Sequence, residues 1–261
     1  MTLSPHRLDY PKAALVTGAG KRIGRAIALA LAQDGWAVAV HYGESRIEAE
    51  NLVEEIAALG GKAVALQADL AREGEVVPLI GRAVSALGPL GCLVNNASLF
   101  ENDLALDVTR ESWDRHIETN LRAPFVLAQE FARQLPDDKF GAIVNLLDER
   151  VWNLTPYFFS YTLSKSALWT VTQTLALALA PRIRVNGIGP GPALPSPRQS
   201  EAQFRRQESL MPLMHGTTPE EIAAAVRFIL AAPALTGQMI ALDGGQHLGW
   251  AQAAERRVSE E

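Results

Sequence analysis

In Ala13-Ala14-Leu15-Val16-Thr17-Gly18-Ala19-Gly20-Lys21-Arg22-Ile23-Gly24, an apolar run passes through glycines into the start of a helical pattern. Ala13–Thr17 reads as a strand because its apolar residues are continuous. Ile23–Gln33 reads as a helix because they recur at three- and four-residue intervals. A strand that turns tightly into a helix is half of a parallel β-α-β unit. The same alternation continues outward, with strands expected at Ala37–Tyr42, Ala63–Leu66, Cys92–Asn95, Ala142–Leu147, Arg184–Ile188 and Met239–Leu242. Helices are expected at Arg46–Leu59, Glu75–Ala86, Arg110–Gln134 and Tyr161–Ala180. Strands this apolar must be covered on both faces, which parallel sheets require. The reading is α/β, a single-domain doubly wound parallel sheet with helices on both faces.

The length of 261 residues suits one such domain, with its core over 13–245. The net charge of −5 gives no broad positive field, so no nucleic-acid partner is expected. The single cysteine, Cys92, falls in an apolar run and excludes an intrachain disulfide framework. No apolar window reaches the roughly 18 residues of a membrane span, and Met1–Lys12 lacks a signal-peptide core. A cytoplasmic protein without membrane partners is expected. No metal-ligand cluster is read. The Pro-rich stretch Pro190–Pro197 breaks the alternation, and Gly191–His215 is expected to be a substrate lid. The tail, 246–261, carries no interpretable pattern.

Placed between strand and helix, the glycines of Thr17–Gly24 permit a tight turn, and the helix N-terminus behind them attracts a pyrophosphate. Far downstream, Tyr161 and Lys165 stand four residues apart at a helix start, hence on one face. A free tyrosine has a pKa of about 10, and a neighbouring cation lowers it toward useful proton exchange.

Together the TGxxxxxG turn, Asn95-Asn96-Ala97-Ser98 and Tyr161-Thr162-Leu163-Ser164-Lys165 resemble the short-chain dehydrogenase/reductase family, over Ala13–Gly245. That resemblance implies a Rossmann-type fold, an NADP(H) or NAD(H) cofactor and a small-molecule substrate. It also implies a homotetramer built through the Arg110–Gln134 and Tyr161–Ala180 helices. It places Gly18, Lys21, Arg22, Ile23, Gly24, Asn96, Ala97, Ser98, Lys165, Pro190 and Gly191 on the cofactor, and Asp69-Leu70 beside its adenine. Asn120 matches the asparagine that holds a relay water. Tyr42 occupies the position of the family's discriminating aspartate, and no acid stands there. His41, Tyr42 and Ser45, with Lys21, Arg22 and Arg46, are expected to favour the 2′-phosphate of NADP(H). Glu44 dissents, unless it points to solvent.

The family's usual catalytic serine is replaced here by Asp148. A carboxyl group can share a proton with Tyr161 and serve a ring nitrogen, which suits C=N reduction. With AGKRIG, Phe100, LLD and RVNGIGPG, this resembles the pteridine reductases and dihydromonapterin reductases. There Arg22 would touch cofactor and substrate, Phe100 would stack on the pterin, and Ser98, Asp148 and Tyr161 would complete the substrate site. Pro192-Ala193 and Glu44 depart from that subgroup. Two alternatives stand beside this reading: a general carbonyl reductase of 3-ketoacyl or sugar type, and a catalytically silent NADPH-binding regulator.

Overall fold

The structure, a computed structural model, describes residues 8–196 and 198–249. Residues 1–7, on which the leader reading rests, Pro197 of the lid and residues 250–261 of the tail lie outside the described residues. Seven strands form one parallel sheet: β1 (Ala13–Val16), β2 (Ala37–Tyr42), β3 (Ala63–Gln67), β4 (Cys92–Asn95), β5 (Gly141–Leu146), β6 (Ile183–Pro190) and β7 (Met239–Leu242). Their order is β3-β2-β1-β4-β5-β6-β7, so the chain's winding reverses between β1 and β4.

Alternate residues of one strand feed two cores. Ala14 and Val16 of β1 pack with helices α1 (Arg22–Gln33), α2 (Arg46–Ala58) and α8 (Pro219–Ala231). Ala13 and Leu15 pack on the opposite face with α3 (Glu73–Leu87), α5 (Ala123–Gln134) and α6 (Phe159–Ala178). All four β1 residues are buried, which is why the strand shows no polar alternation. Among the described residues, no helix is long and apolar enough to cross a membrane.

Three expectations need correction. The helix expected over Arg110–Gln134 is α4 (Arg110–Ile117) and α5, joined by a π-helical turn at Glu118–Arg122. Such turns insert a residue into the helical ladder and re-aim side chains, frequently at functional sites. The lid contains a helix, α7 (Glu201–Ser209), started by a capping box between Ser200 and Gln203. Helix α8 was not anticipated, although Thr218-Pro219-Glu220-Glu221 carries its start signal: a second capping box with proline in the first turn.

Candidate active site

The loops leaving β1, β4, β5 and β6 meet at the C-terminal edge of the sheet, beside the β1/β4 reversal, where ligands of open α/β sheets bind. Arg22, Ser98, Phe100, Asp148, Tyr161 and Lys165 line one cleft there, with Ile23, Asn96, Pro190 and Gly191 in its wall and Leu194, Ser196 and Phe204 of the expected lid also lining it.

The glycine turn is held from below. Asn96 Nδ2 donates to the carbonyls of Thr17 (2.8 Å) and Gly18 (3.1 Å), while Thr17 Oγ1 accepts from the N–H groups of Asn96 and Ala97. Gly18 has φ +61°, and a Cβ there would crowd Ala97. A Cβ on Gly24 would lie 2.3 Å from the Gly18 carbonyl oxygen and 2.5 Å from Asn96 Nδ2. Only glycine fits that approach. Helix α1 begins at Lys21 without a side-chain cap or an acidic residue in its first turn, leaving its end disposed toward an anion. Arg22 adopts φ +53°, a left-handed conformation costly for a residue with a Cβ. Its guanidinium donates to the lid carbonyls of Pro195 (3.0 Å) and Leu194 (3.2 Å), tying the turn to the lid.

His41 does not play the expected part. Its ring is buried, Nδ1 accepts from the Gly18 N–H (3.0 Å), and Nε2 lies 3.0 Å from the Ala68 carbonyl, to which it donates. Burial holds it down to about 4, so the ring is neutral near pH 7 and braces the turn instead of pairing with a phosphate. Lys21 contacts Glu48 (2.6 Å) and Arg46 contacts Glu50 (2.7 Å). Both are solvent-exposed pairs of little strength, which a bound phosphate could displace. Glu44 is exposed, Tyr42 half-buried, and Ser45 sits under Gly20, whose Cβ would meet Ser45 Oγ at 2.9 Å. After β3, Asp69 accepts from the Ala71 N–H (2.9 Å) and pairs with Arg72, while Leu70 is buried.

The proton-transfer group is compact. Tyr161 Oη donates to Asp148 Oδ2 at 2.7 Å, with both residues buried. Lys165 Nζ donates to the Leu146 carbonyl (2.7 Å), which fixes the ammonium 5.8 Å from the centre of the Tyr161 ring. Burial pushes Lys165 down to about 8, against the pull of the Asp148 carboxylate.

Asn120 stands in the π-helical turn between α4 and α5. The π-helical turn buries its amide completely. Oδ1 accepts from Leu99 N–H (2.8 Å) and Ser98 Oγ (3.3 Å), and Nδ2 donates to the Leu99 carbonyl (2.9 Å) and Ser164 Oγ (3.1 Å). With these four bonds the side chain positions the loop bearing Ser98 and Phe100.

The sequence reading missed several groups. Arg150 contacts both Asp148 oxygens, at 3.4 Å and 3.3 Å, and its guanidinium lies 5.6 Å and 5.4 Å from the Phe100 and Phe158 rings. Those rings stack in parallel 4.4 Å apart, so a group nearly equidistant from both sits at their shared rim. Phe158 therefore covers one face of Phe100, while Tyr161 meets the ring edge-on at 4.7 Å and the Arg198 guanidinium lies 5.9 Å from its centre. The signal was present: in extended chain, residues two apart share a face. Helix α6 follows Phe158, whose φ of +55° gives no side-chain cap. Asp103 supplies the cap from a distant segment. Its carbonyl accepts from Phe159 N–H (3.1 Å) and its Oδ1 from Ser160 N–H (2.9 Å). That places Tyr161 one residue beyond a fixed point.

A family model described as short chain dehydrogenase matches residues 12–206. A 3-oxoacyl-[acyl-carrier-protein] reductase, FabG, from Staphylococcus epidermidis is 36% identical over 242 residues, covering 91% of this chain and 99% of the relative. Among solved structures, FolM alternative dihydrofolate reductase 1 from Brucella suis, in complex with NADP, is 49% identical with a TM-score of 0.90, covering 92% of this chain and 97% of that one. A blue fluorescent protein from a metagenomic library, in complex with NADPH, is 34% identical with a TM-score of 0.84, covering 90% and 98%. With its parallel sheet, its glycine turn and its Tyr161-Lys165 pair at the switch point, this chain belongs to the short-chain dehydrogenase family.

Proposed function

We propose that this protein is an NADPH-dependent reductase of a pterin-type C=N bond, taking a dihydropterin to a tetrahydropterin. The observation that carries the reading is the 2.7 Å contact between Tyr161 and Asp148, in a cleft that Phe100 also lines. Similar proteins of known structure hold NADP or NADPH, and this chain's residues fit that group. The Gly18–Gly24 cradle would be filled by any Cβ at Gly24, and the uncapped end of α1 suits a pyrophosphate. Lys165 is placed to hold the nicotinamide ribose, and Lys21, Ser45 and Arg46 to meet the 2′-phosphate.

Bound NADPH supplies the hydride; the chain supplies the proton. Tyr161 and Asp148 share a hydrogen bond from which one proton passes to the substrate nitrogen, and the Lys165 ammonium stabilises the phenolate left behind. Phe100 holds a flat heterocycle by stacking, worth about 0.5–1.5 kcal/mol beyond its buried area. Asn120 and Asp103 keep the loop and the helix in register. A second reading, reduction of a 3-oxoacyl thioester, is favoured by the likeness to FabG. Steady-state kcat/KM for dihydrobiopterin or dihydromonapterin against acetoacetyl thioesters and diketones separates the two. A pterin value no higher than the thioester value sinks the pterin reading.

Two further expectations concern the cofactor. NADPH gives a higher kcat/KM than NADH, because β2 ends without an acid at Tyr42 and exposed cations flank it; equal use of the two overturns this. Gly24→Ala forces the turn to shift, at about 1–3 kcal/mol. NADPH affinity therefore weakens roughly tenfold to a hundredfold in a fluorescence titration, and an unchanged Kd would show that the turn yields freely.

A further inference from the structure

We infer that Gln246 selects the substrate, accepting a hydrogen bond from an amino group on the edge of the heterocycle that Phe100 stacks. The inference rests on the pterin reading and names the part of the ligand that this wall recognises.

Gln246 Oε1 and Ser196 Oγ are shielded from solvent and make no hydrogen bond within the protein, and both residues line the cleft that holds Asp148 and Tyr161. Buried polar atoms are nearly always paired, because an unmade bond costs stability. Two such atoms in one cleft wall point to a partner that arrives with the ligand.

The surroundings of Gln246 are built to present it. Asp243, itself buried, accepts from Gly245 N–H (3.0 Å), His247 N–H (2.7 Å) and His247 Nδ1 (2.6 Å). Gly245 takes φ +84° to begin the single 3-10 turn Gln246–Leu248. Asn153 Nδ2 donates to the Gln246 carbonyl (3.3 Å). The backbone on both sides of Gln246 is therefore fixed. Its side chain packs against Gly191, where a Cβ would come within 3.2 Å of Oε1 and 2.8 Å of the Asp243 Cα.

An amide oxygen without a partner requires a donor. A 2-amino-4-oxopyrimidine edge offers N–H donors beside a carbonyl acceptor, and the Ser196 hydroxyl can serve the acceptor. The reacting end of a 3-oxoacyl chain offers carbonyl acceptors alone, so the same wall disfavours it. Discrimination by a site built for a hydrogen bond arises because the wrong ligand leaves the protein's group unpaired.

The test uses the full-length enzyme with NADPH, a dihydropterin carrying the 2-amino group, and the analogue with hydrogen in its place. Gln246→Met keeps the length of the side chain and removes the amide. We expect it to raise KM for the amino compound about tenfold or more, to leave kcat within about threefold, and to leave KM for the desamino analogue unchanged. Gln246→Glu keeps the acceptor and restores the preference for the amino compound. An equal rise in KM for both compounds, or no rise, overturns the inference while the pterin reading stands. If the wild-type enzyme reduces neither pterin yet reduces an acetoacetyl thioester, the pterin reading falls and takes this inference with it.

Discussion

Tyr161→Phe lowers kcat by about 10²–10⁴ and leaves NADPH affinity nearly intact. The substitution removes one oxygen. Its hydrogen bond to Asp148 Oδ2 is lost, but the ring keeps its edge contact with Phe100 at 4.7 Å. The buried carboxylate retains the Arg150 N–H (2.9 Å) and guanidinium as donors, so the protein folds normally. Lys165→Ala is expected to behave differently and to damage both affinity and turnover, because in the proposed mechanism the same ammonium also holds the nicotinamide ribose. The wild-type pH profile carries the same signature. Lys165 loses its proton near 8, so kcat declines as pH rises through that value, the neutral amine no longer supporting the phenolate. Near-normal turnover by Tyr161→Phe on its best substrate would mean that the proton comes from elsewhere.

Asp148→Asn abolishes most pterin reduction, by about 10²-fold or more if proton delivery is lost, while Asp148→Ser shifts preference toward diketones. Asparagine keeps the shape but cannot share the Tyr161 proton. It also removes the Asp148 carboxylate from its contact with the Arg150 guanidinium. Serine restores the family's usual hydroxyl. On the acid side the fold itself is limited by His41, whose folded value is about 4 against about 6.5 in the unfolded chain. The unfolded state binds more protons in that window, so stability is lost progressively as pH falls from about 6.5 to 4. The measurement is kcat/KM for one pterin and one diketone across pH in all three proteins. Wild type ignoring every pterin, with Asp148→Asn reducing the diketone normally, would leave only a short-chain reductase.

Most of the sheet was legible because its strands are buried on both faces and read as unbroken apolar runs, each followed by a helix-length segment. The cofactor turn was legible because close backbone approach admits only glycine at Gly24, and that demand is local. Tyr161 and Lys165 were legible because one helical turn sets their separation. Helix α8 escaped despite its capping box because proline breaks a helix everywhere except in the first turn, where Pro219 stands.

What the sequence determined by itself is therefore what short-range geometry governs: the β-α alternation, the glycine turn, the Tyr161-Lys165 face and the acid at Asp148. Tertiary structure alone decided which polar groups are already spent. His41 reads as a possible cation until burial and two backbone partners make it a neutral brace. Asn120 reads by itself as a surface amide until a π-helical turn folds it onto Leu99 and Ser164. Asp103 caps helix α6 from a segment distant in sequence, and Gln246 enters the cleft from a tail without pattern. Such assignments depend on contacts between segments distant in sequence. A residue's charge and hydrogen-bonding capacity are fixed by what packs around it once the chain has closed.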